Sequence, residues 1–246
     1  MNKNSDLSSV DDVSIFYDSG YYDGEGVGYR GYDFKSMAAG FRSKLRDVKG
    51  YCSAGRLLDV GCTKGFFVKI ALDAGYEAYG VDFSSYAINE AQKLVGEKAQ
   101  VADMEKAFPF PRNSFDIITA WDFLEHPKDP YMFLCNANDL LKTNGYLFFT
   151  TVNHDSLMSR LMGDRWLMKG SLHISDFLTP KLLRDWLLKT NYRPVYIGTF
   201  MLFLKPLPSK RLEKIMSFLV KLLTPILRAL NLGDVTYCIA QKTAPL

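Results

Sequence analysis

The stretch "RLLDVGCTKGFF", Arg56–Phe67, opens as an apolar run ending in Asp59 and bends on Gly61 and Gly65, with Thr63 midway. It then continues with apolar residues at helical spacing. A strand, a tight glycine turn and a helix start follow one another within twelve residues. Outward from it, strand and helix alternate. "EAYGVD" (Glu77–Asp82), "AQVAD" (Ala99–Asp103), "FDIITAW" (Phe115–Trp121) and "YLFFTTV" (Tyr146–Val152) read as strands, with "FFVKIALDAG" and "SYAINEAQKLVG" as helices between them. Gly75 closes the first helix as its cap. "TPKLLRDWLLKTN" reads as a further helix with Thr179 as N-cap and Pro180 at its first position. "PVYIGTF" and "VTYCIAQK" supply two last strands. Short apolar strands separated by helices predict an α/β fold with a parallel sheet covered on both faces.

The chain has 246 residues, 48% of them hydrophobic, which suffices for one large domain with appendages. Its net charge of +3 and the lack of a Lys/Arg-rich arm give no support to a nucleic-acid partner. Cys52, Cys62, Cys135 and Cys238 are too scattered for zinc pairs, and no metal is expected. The polar start "MNKNSDLSSVDD" is not a signal peptide, and no uninterrupted apolar run reaches about 18 residues. A cytoplasmic location is therefore expected. The predicted organisation is a disordered tail over 1–13, an N-terminal aromatic cap and helix over 14–50, and an α/β domain over 51–246. The cap carries Tyr17, Tyr21, Tyr22, Tyr29 and Tyr32, the last two read either as ligand contacts or as packing residues, and its helix runs through "FKSMAAGFRSKLRDV".

A turn after a central parallel strand lies at the carboxyl edge of the sheet, where open α/β folds bind ligands. Asp82 ends the next strand, roughly 20 residues beyond the loop, where a carboxylate can accept from ribose hydroxyls. Asp103 ends the third. A dinucleotide loop starting at Gly61 needs glycines at 63 and 66, which are Thr63 and Phe66, and the phosphate-binding G-x-x-x-x-G-K-[ST] pattern is absent. Three acids at one edge would repel a pyrophosphate. They suit a ligand with a ribose, an exocyclic amine and positive charge, a description met by S-adenosylmethionine. For any single acid, a turn or cap role is an equally ordinary reading.

"LLDVGCTKGFF", "YGVDFSSYAINEAQ" and "FDIITAWDFLEHPKDP", in this order and spacing, resemble the class I S-adenosylmethionine-dependent methyltransferases. The nearest branch is that of ubiquinone-type O-methyltransferases and bacterial sugar or secondary-metabolite methyltransferases. "YRGY", "LKTNGYLFFTTVN" and "HISDFLTPKLLRDWL" extend the likeness from about Tyr17 to the C-terminus. The resemblance implies a Rossmann-like sheet of seven strands, mostly parallel with the last antiparallel, and a helical insertion before that strand. It also implies roles. Asp59 orients the loop and reaches the methionine end; Gly61 and Gly65 line the backbone approach; Asp82 holds the ribose. Phe83 packs on adenine, Asp103 accepts from its amine and Met104 covers its face, while Ala120 and Trp121 flank the sulfonium. Thr63 departs from the glycine usual in the family. Either its φ is positive, at a strain of about 1–3 kcal/mol, or its dihedrals are ordinary and its hydroxyl bonds the cofactor carboxylate. The second is the expectation here.

Methyl transfer to a hydroxyl calls for alignment and a base. His126 in "LEHPKDP" and His173 in "SLHISDF" are the candidates for that base, with anchoring of the loop as the other reading of His126. Glu125 is a further proton acceptor or a tie for backbone amides, and His154 reads as an exposed loop residue. The expected reaction is O-methylation of a sugar, quinone-like or secondary metabolite. N- or C-methylation, and a cofactor-binding protein without turnover, are the competing readings.

The insertion, "KPLPSKRLEKIMSFLVKLLTPILRALNLG" (205–233), puts Leu212, Ile215, Met216, Leu219, Leu222, Leu223, Ile226, Leu227 and Leu230 on one helical face. Pro225 should kink or divide it. Three readings fit: a helical pair packed on the domain or a homodimer partner, a lid over a hydrophobic or lipid-linked acceptor, or a basic amphipathic segment, 209–231, on a membrane surface.

Overall fold

The computed structural model describes residues 33–103, 109–166, 168, 178–200 and 222–246. The tail 1–13, Tyr29, Tyr32, Met104, His173 and the insertion residues 205–221 lie outside the described residues.

In chain order the elements are α1 (Phe34–Tyr51), β1 (Arg56–Val60), α2 (Phe66–Asp73), β2 (Glu77–Asp82), α3 (Ser85–Val95), β3 (Ala99–Val101), β4 (Phe115–Ala120), α4 (Pro130–Leu140), β5 (Leu141–Val152), α5 (Leu157–Met162), α6 (Pro180–Lys189), β6 (Tyr192–Phe200) and β7 (Val235–Lys242). The strands form one sheet in the order β3-β2-β1-β4-β5-β7-β6. The pairs from β3 across to β5 are parallel, and β7 lies antiparallel between β5 and β6. This is the Rossmann-like arrangement of seven strands the sequence predicts.

Successive side chains of a strand face opposite sides of the sheet, and the two cores divide on that parity. Leu58, Ile118, Phe149 and Cys238 join Phe133 and Leu134 of α4 and Leu183 and Leu187 of α6 on one face. Their neighbours Leu57, Ile117, Phe148 and Ile239 join Phe41 and Leu45 of α1 with Phe67 and Ile70 of α2 on the other. Every one of these is buried, and each such side chain contributes about 1.5–3 kcal/mol of hydrophobic stabilisation. The two-sided burial is why the strands lack polar alternation.

Local signals set the helix ends. Asp33 Oδ1 accepts the Ser36 N–H (2.9 Å) to start α1, and Thr179 Oγ1 accepts the Leu182 N–H (3.2 Å) ahead of Pro180 to start α6. Ala74 is the cap of α2, and Gly75 follows it at positive φ. Among the strand ends that move, β3 stops at Val101, so Asp103 lies two residues beyond it, and β5 begins at Leu141 rather than Tyr146. The early part of β5 breaks register against β4 at Phe115/Ile117, with Asn144 at φ 67. That bulge hid it behind the turn-like "KTNG".

Candidate functional site

The carboxyl ends of β1, β2, β3 and β4 lie side by side, because these neighbours run parallel. Between β1 and α2 the chain turns through Cys62–Gly65, closed by the Gly65 N–H donating to Cys62 O at 2.9 Å. Gly61 has φ 68, and a Cβ there would stand 2.6 Å from Phe123 Cδ2. Gly65 has φ 73 and begins α2 without a side-chain cap. Both positions therefore exclude a side chain.

Thr63, the second residue of that turn, has φ 49 and is buried. The expectation of ordinary dihedrals for it is wrong. A four-residue turn with positive φ at its second residue ordinarily takes glycine there, and a β-branched residue costs about 1–3 kcal/mol. Its geometry is held from outside the turn: the Thr63 N–H donates to Asp82 Oδ2 at 3.0 Å.

Asp82, at the end of β2, accepts the Ser84 N–H on its other oxygen at 2.9 Å. Asp59 pairs in register with Gly80 of β2 and Thr119 of β4, and Thr119 donates its hydroxyl to Asp59 Oδ1 at 2.6 Å. Burial pushes the Asp59 carboxyl up to about 7, with Asp82 adding to the rise and Thr119 and Lys44 opposing it. Burial likewise raises Asp82 to about 6 despite three backbone donors. No salt bridge to either acid is found among the described residues. Burial penalises the charged form of both groups, so each gains from an incoming cation or hydroxyl donor that compensates the carboxylate.

Asp103 and Phe83 are half-buried at the same edge, beyond β3 and β2, and Ala120 is buried at the end of β4. Trp121 continues from it, edge-on to Phe67 (centroids 5.4 Å) and stacked on Tyr237 at 6.1 Å, with Lys44 Nζ 4.6 Å from its ring. Its indole Nε1 is buried and has no hydrogen-bond partner among the described residues. An orphaned donor, a turn bent on two glycines and two buried carboxyls fit the adenosyl-sulfonium ligand implied by the resemblance: hydroxyls and positive charge for the acids, and an acceptor for the indole.

The loop after β4 carries His126, half-buried, whose N–H donates to Phe123 O at 3.0 Å. Beside it Glu125 is buried and accepts the Thr151 hydroxyl at 2.7 Å; burial first, and Asp122 second, raise it to about 8. Sequence reading missed what braces this loop. Thr150 and Thr151 end an otherwise apolar strand, and Thr150 Oγ1 accepts the Asp122 N–H at 2.8 Å. Paired threonines at the carboxyl end of a buried strand were the available signal.

His154 is not the exposed loop residue expected. It is half-buried, edge-on to Trp166 with centroids 5.3 Å apart, and its N–H donates to Leu178 O. A clasp between the chain after β5 and the chain before β7 explains this. Buried Asp234 accepts from Ser156 Oγ (2.9 Å) and Trp166 Nε1 (3.2 Å), while Asn153 Nδ2 donates to Asn231 O and Gly233 O. These partners are about 80 residues apart, beyond the reach of local pattern. Among the described residues no group of three His, Cys, Asp or Glu side chains is placed to hold a metal.

A family model described as a methyltransferase domain matches residues 35–197. The chain is 29% identical over 153 residues to the ubiquinone biosynthesis O-methyltransferase of Actinobacillus pleuropneumoniae, covering 56% of this chain and 65% of that protein. It is 31% identical over 169 residues to the enzyme of the same name from Bradyrhizobium diazoefficiens, covering 64% and 66%. The match thus spans under two thirds of these curated relatives' own length. Among solved structures, a methyltransferase dependent on S-adenosylmethionine from Archaeoglobus fulgidus aligns with a TM-score of 0.62 at 19% identity, over 94% of this chain and 100% of that one. Phosphoethanolamine N-methyltransferase 2 of Haemonchus contortus, solved with S-adenosyl-L-methionine, aligns at 0.56 and 19%, over 82% and 53%. At these identities the structural likeness speaks to fold. The family model, covering the glycine turn, both acids and the loop after β4, goes further: the chain belongs to the methyltransferase-domain family.

Proposed function

We propose that this chain is an S-adenosylmethionine-dependent methyltransferase acting in the cytoplasm on a small molecule, methylating a hydroxyl of a quinone-like acceptor. The observation that carries the reading is the pair of buried carboxyl groups, Asp59 and Asp82, set beside the Gly61–Gly65 turn with no salt-bridge partner among the described residues, so that a cationic, hydroxyl-bearing ligand would compensate their buried charge. The names of the ubiquinone relatives support the acceptor class.

S-adenosylmethionine supplies an electrophilic methyl on a positively charged sulfur. Asp82 and Asp103 would hold its ribose and adenine, the roles the resemblance also gives to Phe83 and Met104 at the ring. Asp59 and Trp121 would serve the methionine end beside the Gly61–Gly65 turn, with Ala120 near the sulfonium. His126, or His173 from the connection after β5, would take the proton from the acceptor hydroxyl and hold it as an imidazolium.

Titration calorimetry of the full chain with S-adenosylmethionine, with NAD as control, should give saturable binding of the first alone. Methyl-labelled donor should then transfer its label to hydroxylated quinone or catechol acceptors. Absence of donor binding, or NAD bound in its place, would sink the reading. Donor binding without transfer to any hydroxyl, amine or carbon acceptor would instead leave a cofactor-binding protein without turnover.

A further inference from the structure

Residues 222–229 are helical and end in a turn where the Leu232 N–H donates to Leu227 O at 2.8 Å. The Leu232 carbonyl in turn accepts the Leu157 N–H at 3.0 Å, so this helix ends where α5 begins. Leu227, 6% exposed, anchors the helix to the domain. Leu222 (61%), Leu223 (41%), Ile226 (55%) and Leu230 (61%) stand in solvent. At helical spacing these four fall within an arc of roughly 100°. Leu161 (71%) and Met162 on the adjoining α5 are exposed too. Two short neighbouring helices thus hold six of the thirteen exposed large hydrophobics among the described residues.

A lid over a pocket would turn this apolar arc inward, and the arc is outside. The charge pattern separates the remaining occupants. Between 205 and 233 stand Lys205, Lys210, Arg211, Lys214, Lys221 and Arg228 against the single acid Glu213, while the whole chain is only +3, so the rest is net negative. A symmetric contact with a second copy would set two such basic segments against each other. An anionic lipid surface complements the charge and takes up the leucine ridge, as interfacial amphipathic helices do.

We propose that the face formed by Leu222, Leu223, Ile226 and Leu230, with Leu161 and Met162 of α5, docks the protein on an anionic phospholipid bilayer. The face lies at the carboxyl edge of the sheet, since Val152 and Phe200 both pair with Val235 there. Docking therefore turns the candidate site toward the lipid. The surface stands whatever the acceptor, because vesicle binding needs no methyl transfer.

Flotation of the full chain with phosphatidylcholine vesicles, with and without 30% phosphatidylglycerol, tests it at about 0.1 and 0.5 M salt, which bracket strong and weak screening. The wild type should partition at least tenfold more onto the phosphatidylglycerol vesicles at low salt than onto neutral ones, and high salt should weaken this. Ile226→Glu with Leu230→Glu should abolish it while leaving the thermal midpoint and donor binding in place. Lys214→Glu with Arg228→Glu should reduce it without touching the apolar arc. Equal partitioning of wild type and both variants, or no preference for the anionic lipid, overturns the proposal. So does a wild-type dimer in sedimentation velocity that Ile226→Glu with Leu230→Glu dissolves, which would assign the face to a second copy.

Discussion

The Asp82 carboxylate fastens the glycine turn, taking the Thr63 N–H on one oxygen at 3.0 Å and the Ser84 N–H on the other at 2.9 Å. It shapes the loop before any ligand arrives. Asp82→Ala should orphan two buried amides, at about 1–3 kcal/mol each, and lower affinity for S-adenosylmethionine at least tenfold. Asp82→Asn, which keeps one acceptor, should recover part of the stability. Calorimetry and thermal unfolding report the two effects separately, and unchanged affinity in the alanine variant would remove Asp82 from the site.

Thr63 sits at φ 49. Replacing it with glycine removes the steric cost of that dihedral while adding chain entropy to the unfolded state, so the net gain should be about 1 kcal/mol. For a chain of this size that is about 2–4 °C in Tm. A drop in Tm for Thr63→Gly would mean that the side chain contributes more than its backbone strain costs.

Burial lifts Glu125 to about 8, Asp59 to about 7 and Asp82 to about 6. Each group's folded value lies above its unfolded one. The stability it contributes is thus complete below the unfolded value and is lost as pH rises through the folded value. The ligand-free protein should lose stability between about pH 4 and pH 8. Glu125→Gln keeps an acceptor for Thr151 and removes the widest of these windows. Relative to wild type it should gain about 1 kcal/mol or more at pH 8 and little at pH 4, by denaturant unfolding. A parallel pH profile in the variant would show that Glu125 does not titrate in this range.

His126→Ala should lower methyl transfer at least tenfold and leave donor affinity within a few-fold, since the residue lies on the loop after β4 and not in the glycine turn. Equal turnover would pass the base role to His173.

Lys242 is buried at the end of β7, and its ammonium donates to Asn138 O (2.6 Å), Leu141 O (2.7 Å) and Asn113 Oδ1 (3.0 Å). Two of these acceptors belong to the end of α4 and the start of β5. Lys242→Met fits the volume but strands all three acceptors, and should cost about 2–4 kcal/mol in denaturant unfolding. A variant as stable as wild type would mean that water replaces the ammonium.

What could be read from the chain beforehand followed local rules. The short apolar strands, the Thr179–Pro180 helix start and the Asp59-to-Asp82 spacing depend on neighbours within about twenty residues, and they hold in the structure. Thr63 was misjudged because the turn is tied by its N–H to Asp82 on the neighbouring strand, a tertiary contact that the residues of the turn do not announce. The Asn153–Asp234 clasp and the Thr151–Glu125 bond join residues that only the sheet order brings together. His154 was misplaced for the same reason: its cover, Trp166, is held by Asp234 from the far end of the chain.

Because β7 is threaded between β5 and β6, those two strands never touch each other. The sheet can be completed only after β7 has left the ribosome, and until then β6 has no strand to pair with. A nascent chain stalled before Val235 would display two unsatisfied β-edges at once. Chaperone demand during synthesis should therefore concentrate in the interval between the emergence of β6 and that of β7.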